Sequence, residues 1–288
     1  MFAFPWLGVL NIFFFVLAGC ADDIKGEKGD PGPPGQAASV SVAGLPRPHY
    51  EFSPDRQDQV IVRASTSHAT RVAIDEVLYT NTSDVFIDLQ ATGRNGMDGS
   101  PVAPFLIYYL YAIPALGDSL HFDLVASSKD PAAGPTGFEQ KWTYLGAFRT
   151  NGSSKVQNFV HEDNTVFLLE AEPINGLPND GRDTVYTEIT RLKVPKTARV
   201  AMIKNVIYMT GIIPQTGAIL WSLDKMSGYQ IHLAQGLDTG VSHGDEKIIS
   251  LPLTSPDQKF FYKWSPLPQG WFAFASLEGW VESTSEWQ

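Results

Sequence analysis

"VAIDEVLYTNTSDVFIDLQATGRNGMDGSPVAPFLIYYLYAIP", residues 72–114, sets the fold class. Short runs rich in Val, Ile, Tyr and Phe alternate with Asn, Asp, Gly and Pro, and no run keeps helical spacing for more than about ten residues. Within it, Asn95-Gly96 and Asp98-Gly99 offer residues that accept a positive φ in tight turns. Working outward, the same rhythm predicts strands over Gln59 to Ala64, Arg71 to Tyr79, Ser83 to Leu89, Phe105 to Pro114, Leu120 to Ser127, Trp142 to Arg149 and Asn158 to Ala171. It continues over Tyr186 to Lys193, Ala198 to Met209, Ala218 to Lys225, Gln230 to Ala234, Lys247 to Leu253, Lys259 to Trp264 and Gly270 to Val281. Turn clusters such as "SKDPAAGPTG", "TNGSS", "IPQTG" and "PLPQG" separate them. The expectation is an all-β head, an antiparallel β-sandwich of jelly-roll type.

At 288 residues the chain accommodates one large all-β domain or two ordinary ones. The strongest internal break is "EPINGLPNDGRD", residues 172–183, which divides the head into 45–171 and 172–288; a single sandwich spanning the break is equally allowed. The net charge of -10 carries no basic block, which argues against a nucleic-acid partner. The single cysteine, Cys20, excludes an intramolecular disulfide, so packing alone must hold the head together.

Residues 1–19 carry no charged side chain and read as an apolar signal peptide. They end in Leu17-Ala18-Gly19-Cys20, followed by polar Ala21-Asp22-Asp23. This resembles the lipobox of bacterial lipoproteins, and the resemblance implies lipidation of Cys20 with cleavage just before it. Two or three acyl chains, at about 0.8 kcal/mol per buried methylene, give stable anchoring. By the sorting habit of that family, Ala21 implies passage to the outer membrane and the cell surface. The usual basic start is missing, since nothing before Lys25 is positive. An ordinary cleaved signal, or an uncleaved helix with a stray cysteine, is the plainer alternative.

Gly26, Gly29, Gly32 and Gly35 keep a period of three through "GEKGDPGPPG". This resembles collagen, where only glycine fits at the axis of three chains. The tract is short, so residues 20–44 are either a stalk that joins a homotrimer or a flexible spacer.

About residues 65–165 are similar to a β-rich module of tailed-phage tail fibre proteins. The residues that carry the match are Asn95-Gly96-Met97-Asp98-Gly99, the strand around Tyr108, Tyr109 and Tyr111, Leu124-Val125-Ala126-Ser127-Ser128, Pro135-Thr136-Gly137-Phe138 and Leu145-Gly146-Ala147-Phe148-Arg149-Thr150. The resemblance implies a trimeric receptor-binding context. The lipid anchor departs from it and favours a bacterial or prophage-encoded surface protein. Physically the same motifs are turn and strand chemistry, and structure alone explains them.

A search for chemistry returns no G-x-S-x-G, H-E-x-x-H or C-x-x-C. His49, His68, His121, His161, His232 and His243 show no metal-ligand spacing, and the expectation is no metal and no cofactor. The acidic clusters His161-Glu162-Asp163, Asn179-Asp180-Gly181-Arg182-Asp183 and His243-Gly244-Asp245-Glu246 read as solvated turns, the middle one lacking the later Glu of a calcium loop. Trp221, Trp264, Trp271 and Trp280 crowd the last quarter and are candidate ligand-binding residues, as a stacking platform for a surface glycan; a sandwich core explains them as well. The reading is a non-enzymatic, membrane-anchored surface lipoprotein whose head binds or adheres to a glycan or protein receptor. The alternatives are a phage tail fibre, a prophage superinfection-exclusion lipoprotein, a carbohydrate-active hydrolase, whose paired carboxylates cannot be read from sequence, and a purely structural envelope protein.

Overall fold

The computed structural model describes residues 48–117, 120–138, 141–174, 183–189, 193–209, 217–223, 228–233, 243–253, 259–265 and 270–283. The signal segment, Cys20 and the stalk glycines Gly26, Gly29, Gly32 and Gly35 lie outside the described residues. What is described is all-β, and none of its helices, there being none, is long and apolar enough to cross a membrane.

The largest sheet has eight strands, all antiparallel, in the spatial order β16 (His243–Pro252), β13 (Ala198–Met209), β18 (Trp271–Glu282), β11 (Thr165–Ile174), β10 (Phe159–Glu162), β1 (Tyr50–Phe52), β2 (Gln59–Val62) and β5 (Val85–Asp88). One four-stranded sheet runs β6 (Gly96–Met97), β8 (Phe122–Ser127), β7 (Ile107–Pro114), β9 (Thr143–Arg149), with β6 and β8 parallel. A second runs β12 (Thr187–Glu188), β17 (Phe261–Trp264), β14 (Gly217–Ser222), β15 (Gly228–Leu233). A hairpin, β3 (Thr70–Ile74) and β4 (Val77–Asn81), stands apart.

Period-2 alternation directs one face of the large sheet inward. Val166 and Leu168 of β11, Ala201, Ile203 and Ile207 of β13, and Ala273, Ala275 and Leu277 of β18 are buried. They share one hydrophobic core with Tyr108, Leu110, Leu124 and Phe148 of the first small sheet and with Ile219, Trp221, Tyr262 and Trp264 of the second. That common core makes the architecture sandwich-like. A close approach fixes one seam: the Tyr50 hydroxyl donates to the Ala147 carbonyl at 3.1 Å, over Gly146, where any Cβ would collide with the Tyr50 ring.

The first small sheet is buried on both faces. Its other face carries Tyr109, Tyr111, Val125, Tyr144 and Ala147, with Phe138 and Trp142 packed against them. Trp142 meets Tyr111 edge-on, centroids 5.1 Å apart at 77°. This is why "LIYYLYAI" reads as a continuous apolar run instead of an alternating one. Removal from water pushes the Tyr109 hydroxyl pKa up to about 12, and Tyr111 is raised further.

Strands from both sides of "EPINGLPNDGRD" share the large sheet, meeting where β11 pairs with β18, and Glu172, Pro173 and Ile174 pair there against Leu277, Ser276 and Ala275. Residues 175–182 lie outside the described ones. Two strands differ from the sequence reading. Arg71 to Tyr79 is a hairpin, turned at Asp75 and Glu76 with φ of 51° and 63°, and Asn158 to Ala171 is broken at Asp163 with φ of 54°. Neither turn contains a glycine or a proline, and the sequence reading takes no break at acidic or Asn residues inside apolar runs.

Candidate functional site

Asn81, at the end of β4, and the segment 91–100 together close the open edge of β8. At one end the Asn81 amide donates to the Phe122 carbonyl at 2.8 Å and accepts from its N–H at 3.3 Å. Next, the Asn95 backbone N–H donates to the Leu124 carbonyl at 2.7 Å, and the Asn95 side-chain oxygen accepts from the Leu124 N–H at 2.9 Å. Gly96 and Met97 then pair with Val125 and Ala126 as β6. Asn95 takes φ of 56° and Gly99 takes 97°, while Gly96 is needed for space, since a Cβ there would lie 2.5 Å from the Ala91 carbonyl oxygen.

Asp98 completes the closure. Its carboxylate accepts from the Ser127 hydroxyl at 2.6 Å, the Thr136 N–H at 2.9 Å and the Ser100 N–H at 3.2 Å. Partial burial opposes its charge, but these donors outweigh that and hold its pKa below the usual carboxylate range. Asn95, Gly96, Asp98 and Gly99 therefore act on the fold.

Above this closure lies a polar cleft of about 590 Å³. Its floor is Leu89, Met97 and Val102, and Gln57, Asp58, Gln90, Thr92, Ser153 and Lys155 supply its polar groups. The size falls within the range of about 300–1,000 Å³ typical of small-ligand sites. Asp58 is the one carboxylate among the lining residues. Arg56 grips it with two hydrogen bonds of 3.1 Å and reaches Asp88 at 3.0 Å. The Arg56 hydrogen bond holds the Asp58 carboxyl below its usual range, so it is a fixed acceptor and not a proton donor. Outside the lining residues, Phe105 sits at φ of 57° with its ring against Gly152 and the Arg149 guanidinium 5.9 Å from its centroid. A bulky residue at such a φ is an outlier, of the kind that collects at functional loops.

Of the two readings of the C-terminal tryptophans, core and stacking platform, the structure gives core for the three whose side chains are described. Trp221, Trp264 and Trp280 are 0, 1 and 0 % exposed, and Trp221 donates to Asn205 Oδ1 at 2.8 Å. The inward face of the sandwich claimed them because each removes a large apolar area from water. Trp271 lies in β18 opposite Met209, and its side chain lies outside the described part.

His49 and His68 line one further pocket with Arg63 and Asp84, but among the described residues no group of three metal-ligating side chains occurs. His161 is buried with its ring stacked on Tyr50 at 4.1 Å; His49 contacts Glu51 at 3.3 Å and His68 contacts Ser67 at 3.0 Å. Of the acidic clusters expected as turns, two lie in strands: Glu162 ends β10 and is exposed, and Glu246 of β16 pairs with Lys204 at 2.5 Å; Asp183 accepts from the Tyr262 hydroxyl at 2.8 Å. Asn179 to Arg182 lie outside the described residues. The sequence reading missed the cleft, whose walls come from residues 57–58, 89–102 and 153–155. Its available cue was the presence of two Gly/Ser turn clusters, "GRNGMDGSP" and "TNGSS", without any hint that they meet.

No protein-family model matches the chain, and no curated protein does. Among solved structures, it is similar to the structure of infectious bursal disease virus Gx strain at 9 % identity and a TM-score of 0.23, over 85 % of this chain and 75 % of that one. It is also similar to a Bacillus thuringiensis Cry1Da tryptic core variant at 10 % identity and a TM-score of 0.19, over 86 % of this chain and 54 % of that one. Similarity this low carries no argument.

Proposed function

We propose that the chain is an exported lipoprotein, tethered through Cys20, that holds a non-enzymatic β-sandwich binding head away from a bacterial membrane. The observation that carries this reading is the order Leu17-Ala18-Gly19-Cys20, acidic residues, glycine triplets, then a compact all-β unit. The polar cleft is where the head would take its ligand, a hydroxyl-rich glycan or a peptide loop. Its lining has hydrogen-bonding groups and one ionised carboxylate, which supports binding over hydrolysis, since glycoside cleavage uses a second carboxyl group as acid or nucleophile. The fibre-like segment 65–165 supports a prophage origin as the second reading.

Expression of the full chain in an export-competent bacterium, followed by mass spectrometry of the mature N-terminus, tests the anchor. The expected product starts at Cys20 with a diacylglyceryl thioether and partitions into detergent. A mature chain lacking Cys20, or carrying it unmodified, overturns the lipoprotein reading and leaves a free fibre-like protein.

A further inference from the structure

The large sheet has a second face, turned away from the core, and it is unusually apolar. Across its width the register places Phe86, Ile61, Glu51, Val160, Phe167, Gly279 and Met202 in one row, strand by strand, Ile61 itself being buried. Adjacent rows on the same face carry Leu169, Ile248 and Phe274. Phe86, Phe167, Leu169, Ile248 and Phe274 keep 40–62 % of their surface exposed, and they are half of the ten large hydrophobic residues exposed among the described ones. An antiparallel sheet with one solvated face is expected to be polar there. Two of the carboxylates on this face are neutralised within the chain: Glu51 accepts from Arg63 at 2.6 Å and Glu246 pairs with Lys204 at 2.5 Å, while Glu162 lies exposed at the end of β10. A partner covering the centre of the face would bury Glu51 and Glu246 already paired.

We infer that this face packs against further copies of the same chain, in a three-chain assembly begun by the stalk. The inference rests on reading Gly26 to Gly35 as a collagen-like tract, whose geometry requires three chains side by side. The chain reaches its first described strand, β1, only fifteen positions after Gly35, a reach of at most about 50 Å fully extended. β1 belongs to this same sheet. Three heads held that close have an effective concentration of the order of millimolar, enough for a moderate apolar contact to form. The contact in turn supports a tract too short to hold three chains by itself. Heads and stalk are then mutually dependent.

Sedimentation equilibrium on the unlipidated chain, residues 21–288, tests this, with Phe167→Glu and Phe274→Ser on the face and Leu116→Glu as an exposed control elsewhere. The expected result is a trimer for the parent and for Leu116→Glu. Association of either face variant should weaken at least about tenfold, as loss of a central apolar anchor does. An unchanged circular dichroism spectrum and melting temperature exclude unfolding as the cause, and the milder Phe274→Ser serves if Phe167→Glu misfolds. A parent trimer that ignores both face variants but dissociates in Gly29→Ala/Gly32→Ala overturns the face while keeping the tract. A monomer throughout, or a stoichiometry other than three, overturns both. Phe167-dependent sedimentation of a monomer with phosphatidylethanolamine/phosphatidylglycerol vesicles also overturns the inference, in favour of lipid. Lipidation of Cys20 plays no part in these measurements, so they fail or succeed separately from the anchor.

Discussion

The two four-stranded sheets lie against one core by different means. In β12-β17-β14-β15 the contribution is volume: Ile219, Trp221, Tyr262 and Trp264 are buried, and Trp221 and Tyr262 lie 6.3 Å apart between centroids. In β6-β8-β7-β9 a comparable apolar face is accompanied by polar side chains that finish the open edge of β8, from Asn81 through Asn95 to Asp98. Bulk tolerates several arrangements, because area removed from water is not directional. Edge closure tolerates one, because each side-chain oxygen or amide answers a particular backbone group. The first small sheet, β6-β8-β7-β9, is therefore expected to fail through lost register and the second, β12-β17-β14-β15, through lost volume.

The largest effect is expected at Trp264. Replacing it with Ala removes a fully buried indole from the common core and should cost about 3–5 kcal/mol, with Trp264→Phe recovering a good part. Urea unfolding of the unlipidated chain, followed by circular dichroism, measures both. A loss below about 1 kcal/mol would show that the second sheet contributes little to the core and would break the contrast.

A smaller effect is expected at Asn81. It is 5 % exposed and serves both the N–H and the carbonyl of Phe122. Asn81→Ala should cost about 1–3 kcal/mol, because it leaves buried backbone groups unpaired and removes little apolar area. The sharper signature is local. Amide exchange of Phe122 and Leu124 should accelerate more than that of Ile219 or Trp221, whereas Trp264→Ala should do the reverse. Uniform acceleration in both variants would mean that the two sheets unfold as one unit.

The same difference decides what could be read from the sequence. Ala198 to Met209 was legible to the residue, and Phe105 to Pro114 nearly so, because a strand buried on one or both faces leaves an apolar pattern. β1 and β6, three and two residues long, leave no period to detect. The Asp75-Glu76 turn was invisible because acidic residues there occupy a conformation usually left to Gly or Asn. For the tryptophans, alternation shows which residues share a face but not which face the core takes, and only the packed sheets decide that Trp221, Trp264 and Trp280 point inward. The cleft was out of reach for a different reason: its walls, residues 57–58, 89–102 and 153–155, are far apart in the chain and are joined only by long-range backbone bonds such as Leu89 N–H to the Asp58 carbonyl and Val156 N–H to the Gln57 carbonyl.

The smallest effect is expected at Asp98, and it separates charge from shape in the closure of β8. Asp98→Asn keeps the side-chain volume and one acceptor oxygen, but loses the ionised acceptor shared by Ser127, Thr136 and Ser100. A loss of about 1 kcal/mol is expected at neutral pH, the scale of one hydrogen bond. The pH dependence has a definite sign. The folded-state pKa of Asp98 lies below its unfolded value of about 3.9, so its contribution is fully present above that value and is lost as pH falls through the folded one. Urea midpoints of the parent and of Asp98→Asn should therefore stay a constant distance apart from pH 7 to 5 and converge below about pH 4. Curves that remain parallel into acid would mean that the edge is held by geometry and not by the carboxylate charge, and the first sheet would then resemble the second more closely than its hydrogen bonds imply.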